Sequence, residues 1–244
     1  MVTVWYYPGS ASYNNLTMNS IDVLCEDFAY LAEHGVHGTY TCMLDTNRWD
    51  SQDALMGYLL DELQWNAEMT EEEYRDVVYE YLCLLYGHSS APYLMEYLDW
   101  AESVERDSCF TNYQFSSPVE RIDLSAVGAQ RNYVLGLLDM ALENAESAEF
   151  EEAIILFSRP AYFTILVATH SALYIDGTDT ERAEYEELYY RFKDIALSTG
   201  MAIDASPLTE EDFDIEKNLG FTYKKSYLGY YWWPLPEGFV PPEE

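Results

Sequence analysis

Gly35-Val36-His37-Gly38-Thr39-Tyr40-Thr41-Cys42 is the stretch on which the fold turns. Its β-branched and aromatic residues read as a strand. Immediately upstream, Ile21, Leu24, Phe28 and Leu31 recur at helical spacing, with Asn19 or Ser20 placed to cap and Gly35 placed to stop. A helix to about His34 is therefore expected. Further upstream, Val2-Thr3-Val4-Trp5-Tyr6-Tyr7 ends at Pro8-Gly9 and reads as another strand. The polar Ser10–Thr17 segment is a loop. Strand, loop, helix, strand is a βαβ unit, with parallel strands and a right-handed crossover.

Beyond Cys42 the pattern turns helical. The polar loop Leu44–Asp50 carries Asp45, Arg48 and Trp49. A helix is expected over Ser51 to Trp65-Asn66, with Leu55, Leu59, Leu60 and Leu63 inward and Trp65 also assigned to the core. Thr70-Glu71-Glu72-Glu73 has the form of a capping box. Tyr74, Val77, Val78, Tyr81, Leu82 and Leu85 then share one predicted face, and Gly87 stops the helix. Pro92 suits the first turn of the next, which runs to about Arg106.

Ser108–Ser117 reads as a linker. Helices are expected over Val127–Glu146, over Phe150–Tyr174 with a kink or break at Pro160, and over Asp179–Thr199. Met201–Ile203 is a short strand candidate, and Leu208–Asp212 can open a short helix. From Phe221 the tail is aromatic and proline-rich, and so many rings are expected to pack along the helices. The predicted fold is mainly α with a short α/β start. Residues 1–50 form the terminal βαβ unit of a partial, TIM-like barrel, residues 51–220 a helical domain of about five to seven helices, and residues 221–244 the packed tail.

Two parallel strands do not stand alone, because parallel sheets are covered on both faces. Unpaired strand edges also need cover. The missing N-terminal barrel half or a second copy of the chain would supply it; if the chain folds alone, the aromatic tail is the better candidate, because the high negative charge disfavours self-association. In barrels the functional residues sit at the C-terminal ends of the strands. Here those ends are Trp5 and Tyr7 on the first strand, and Tyr40 with Asp45 and Trp49 on and after the second. These five are the candidate substrate-binding residues.

The runs Trp5-Tyr6-Tyr7, Gly35-Val36-His37-Gly38, Tyr58 to Asn66 and Tyr86-Gly87 followed by Ser89, Ser90 and Ala91 occur in order. Over roughly residues 2–105 this resembles DUF4838, a domain family related to α-glucuronidase and β-hexosaminidase-like glycoside hydrolases. The resemblance implies the last strands of a TIM-like barrel followed by a helical domain, in a carbohydrate-processing protein that is secreted or periplasmic. The strands that hold the catalytic acids in such hydrolases are absent upstream. Thr41, Cys42 and Met43 stand where relatives often carry an acid and a glycine. No catalytic residue is therefore assigned, and independent catalysis is not expected.

Composition excludes several classes. Acidic residues number 44 against 12 basic ones, a formal net charge of −32, which opposes nucleic acid and anionic membrane. The four cysteines, Cys25, Cys42, Cys83 and Cys109, form no CxxC pair and do not cluster with His34, His37, His88 or His170. Neither a metal site nor a cofactor is expected. His37 and Cys42 are an odd number of residues apart along the strand, which places them on opposite faces and excludes a thiol–imidazole pair. The longest apolar run, Ala161–Thr169, is too short for a bilayer. The amino terminus lacks signal-peptide features, so a cytoplasmic location is the default.

The 23 tyrosines and 6 tryptophans read either as wide helix faces or as a platform for sugar rings. Three functions follow: the C-terminal portion of a carbohydrate-active protein, a non-catalytic carbohydrate-binding accessory module, or an acidic helical interaction module.

Overall fold

The computed structural model describes residues 2–6, 21–41, 51–107, 122–203, 206–213 and 215. Strand β1 (Val2–Tyr6), helix α1 (Ile21–Glu33) and strand β2 (Val36–Thr41) form the opening unit. The strands pair in parallel, with Val4 opposite Thr39, Trp5 opposite Tyr40 and Tyr6 opposite Thr41. The expected βαβ topology is therefore present. Gly35 adopts φ +73°, the left-handed conformation that lets the chain leave α1 without a Cβ clash. Leu24 and Phe28 bury the inner face of α1. This helix packs on β2 and on the following helix.

Six further α-helices are present among the described residues: α2 (Ser51–Trp65), α3 (Glu71–Tyr86), α4 (Ala91–Asp107), α5 (Leu124–Glu143), α6 (Ala148–Thr169) and α7 (Asp179–Ser198). A π-helical stretch, His170–Ile175, extends α6. Strands β3 (Ala202–Ile203) and β4 (Ser206–Pro207) make a small antiparallel hairpin, and Glu210–Asp212 is a single 3₁₀ turn. The linker and the aromatic tail lie outside the described residues.

Local chemistry sets the helix starts. The Thr70 hydroxyl accepts from the Glu73 amide while the Glu73 carboxylate accepts from the Thr70 amide, a reciprocal capping box. Thr178 and Glu181 repeat the arrangement on α7. Helix α5 begins three residues before the position expected from periodicity. Asp123 caps it there, accepting from the Ala126 amide at 3.0 Å. The buried face of α3 also differs from expectation: Leu85 is exposed, and Cys83 and Tyr86 are buried instead.

Helix α6 is the hub of the body, packing on α2, α3, α5 and α7. A helix contacted from several directions needs apolar residues all round. Every residue from Phe157 to Val167 is buried. With its π extension the element spans Ala148–Ile175, 28 residues containing a window of mean hydropathy 1.3. That is long and apolar enough to cross a membrane, unlike the shorter run judged from sequence. In this fold 78% of that window is buried by the protein itself.

Of the kink or break expected at Pro160, a break does not occur; the chain stays helical through it. Proline offers no N–H to Leu156, one turn back. In the same turn Gln52, at the start of α2, donates from Nε2 to the Phe157 carbonyl (3.2 Å) and to the Tyr97 hydroxyl (3.1 Å). A side chain from a neighbouring helix is thus bonded within the proline's turn, on the carbonyl next to the one that Pro160 leaves without its helical donor. Beyond the proline, Thr164 donates to the Pro160 carbonyl at 2.8 Å.

Candidate functional site

The C-terminal ends of β1 and β2 lie side by side, as a parallel pair requires. Trp5 and Tyr40 are register partners. Tyr40 is 60% exposed. Of the other residues assigned to this rim, Tyr7, Asp45 and Trp49 lie outside the described residues. The structure thus brings together Trp5 and Tyr40 along the backbone. Helix α1 packs against β2. Val4 and its partner Thr39 are half-buried, whereas Tyr40 projects into solvent.

A hollow of about 260 Å³ sits between α1, β2 and the end of α2. Phe28 and Leu31 line one side, His37 and Thr39 another, and Leu63 and Gln64 a third. The Thr39 hydroxyl is buried and makes no hydrogen bond among the described residues. A buried hydroxyl without a partner retains unused hydrogen-bonding capacity. Next to Gln64 in the chain, Trp65 is 92% exposed.

The exposure of Trp65 overturns the expectation that it belongs to the core. Leu59, Leu60 and Leu63 fill the buried stripe of α2. Trp65 follows Leu63 by two positions, about 200° around the helix, and so faces away. Counting turns from Leu63 would have revealed this.

The other concentration of polar side chains lies inside the body. His170 is buried between the rings of Tyr174 and Tyr185, both with centroids 5.6 Å from it. Burial depresses the His170 pKa and raises those of Tyr185 and Tyr162. Tyr81 is pushed up to about 12 by burial, and then by Tyr58. Desolvation favours the neutral form of each group. These rings pack as part of the core.

Among the described residues, no three His, Cys, Asp or Glu side chains gather as a metal site. Cys25 and Cys83 are free and buried. The guanidinium of Arg191 pairs with Asp139 and lies over the Tyr162 ring, 5.0 Å from its centroid. Arg131 pairs with Glu184 at 2.8 Å, and Lys193 pairs with Glu210. These basic residues tie α5 to α7, and α7 to the 3₁₀ turn. No protein-family model, curated protein or solved structure matches this chain.

Proposed function

We propose that this chain is the C-terminal portion of a carbohydrate-active, glycoside hydrolase-like protein and binds sugar without catalysis of its own. The observation that carries the reading is the parallel β1–β2 pair, with helix cover on the Thr39 side and an exposed aromatic at Tyr40. Parallel strands are ordinarily covered on both faces, so the pair fits a larger sheet or barrel, completed by an N-terminal half or by a second copy. The ordered motifs from Trp5 to Ala91 supply the carbohydrate class. Trp5, Tyr7, Tyr40, Asp45 and Trp49 form the proposed sugar-facing set, with the aromatic members offering flat rings. A non-catalytic accessory module uses the same residues in the same way.

Titration of intrinsic tryptophan fluorescence with neutral and uronic-acid-containing oligosaccharides tests this. A saturable change is expected, lost in Trp49→Ala and weakened in Tyr40→Ala, with the helical circular dichroism unchanged. If the folded protein shows no saturable response to any of these sugars, the reading fails. The acidic interaction module draws its support from the net charge of −32.

A further inference from the structure

A second cavity, of about 290 Å³, opens between α1, α3 and α4 and shares no lining residue with the hollow beside β2. Its floor is apolar: Ile21 from α1, Met69 before α3, Val78 from α3, and Met95 and Leu98 from α4. Methionine side chains adapt to irregular apolar guests. Its rim carries Glu26, Glu71, Asp99 and Glu102. Arg75 is the one basic residue lining the cavity among the described residues, and its guanidinium is bound to Asp99 at 2.8 Å. The formal charge of the lining is therefore three negative, inside a chain that is itself strongly anionic.

The walls are fixed by hydrogen bonds. The Tyr74 hydroxyl donates to the Ile21 carbonyl at 2.7 Å, tying α3 to the start of α1. The Cys25 thiol donates to the Met69 carbonyl at 3.3 Å. A preformed cavity avoids the ordering cost that a collapsed one would impose on a ligand. The field of the rim reaches the floor: burial, then Glu71 and Glu26, push the Cys25 thiol pKa up. The thiol is thus held protonated, which makes it wall rather than nucleophile.

We propose that this cavity binds a small amphipathic organic cation, an ammonium group on a short apolar body. The apolar body occupies the methionine-lined floor and the ammonium sits at the rim between Glu26 and Glu71. A neutral guest would forgo the rim, and an anionic one would be repelled by it. At about 30 Å³ for each water-sized group, the cavity holds a guest of about ten heavy atoms. The long-range field of the anionic chain raises the local concentration of cations.

Isothermal titration calorimetry of the full chain with n-hexyltrimethylammonium tests the proposal. Saturable one-to-one binding is expected. Hexane-1-sulfonate should not bind, and tetramethylammonium, which has the charge without the body, should not saturate. Glu26→Gln and Glu71→Gln should each weaken binding about two- to fivefold, the range of exposed charge pairs. Glu152→Gln on the distant face of α6 should leave it unchanged. Ala29→Trp places a large ring on the exposed edge of the cavity without touching the buried core, and should abolish binding. Should that variant misfold, the two glutamine variants decide. No saturable binding, equal binding of n-hexanol or tetramethylammonium, or equal losses in Glu152→Gln and the rim variants would each overturn the proposal. Sugar binding at the strand ends is read out with separate ligands, so failure of either reading leaves the other standing.

Discussion

The opening βαβ unit and the α4–α7 body solve the same problem unequally. In the body, Tyr97, Phe157, Phe163, Tyr185 and Phe192 are all but fully buried, and α6 is wrapped by its neighbours. In the opening unit Val2 is 54% exposed and Tyr40 60%, and among the described residues the two strands pair only with each other. A helix satisfies its own backbone, so a bundle closes with the helices it has. A parallel strand satisfies its backbone only through its neighbours, so two of them stay open. Among the described residues the difference separates a helical body with a closed core from a two-stranded sheet that stays partly exposed.

The largest effect expected from this comparison is in hydrogen exchange. Local opening free energies run from near zero to the full stability of a domain. Amides of β1 should exchange about a thousandfold faster than those between Phe157 and Leu166. Equal protection in the isolated chain would break the comparison and show that the strands are as closed as the bundle.

The next effect probes how the body closes over its proline. Gln52→Ala removes the donor to the Phe157 carbonyl and should cost about 1–3 kcal/mol in denaturant unfolding, the range for an abandoned buried acceptor. In a Pro160→Ala background the returned backbone N–H faces the Leu156 carbonyl, not that of Phe157, so the cost of Gln52→Ala should change little. A double-mutant cycle with strong coupling would show that the two neighbouring carbonyls do not act independently.

The smallest effect is a pH dependence confined to the body. Burial depresses the His170 pKa, so below the ordinary imidazole value of about 6.5 the unfolded chain takes up a proton that the folded chain resists. His170 therefore leaves stability intact above that value. As pH falls toward the folded pKa, stability drops by at most about 1.4 kcal/mol per pH unit. Glu73, Glu146 and Glu181 have pKa values lowered by hydrogen bonds to Thr70, Ser89 and Thr178. Their contributions fade at lower pH, in the carboxylate range. Unfolding curves between pH 7 and 5 should be flatter in His170→Gln than in the parent, and identical slopes would remove His170 from the account.

Much of the fold was legible because it is written locally. Thr70 and Glu73, Gly35, and the leucines of α2 each act within one or two turns, and the elements they predict are present. The parallel pairing followed from the βαβ order alone. Signals that act at a distance were not legible. The Phe157 carbonyl, in the turn of Pro160, meets Gln52 from far away in the chain. Asp123 is an ordinary residue until its carboxylate meets the Ala126 amide. The cavity between α1, α3 and α4 assembles from residues whose spacing in each helix merely looks amphipathic. Of the proposed sugar-facing set, Trp5 and Tyr40 fall within the described residues, and their register partnership emerges from sheet pairing rather than from any motif.

The two buried thiols carry a practical consequence. Cys25 sits on α1, on the wall of the cavity of about 290 Å³, and Cys83 on α3 in the bundle, so an alkylating reagent too large to enter that cavity reaches neither while its helix stays packed. Each therefore acts as a chemical timer for its own region. Labelling rates at the two sulfurs, resolved by peptide mass, would report how often the opening layer lifts while the bundle beneath it remains shut.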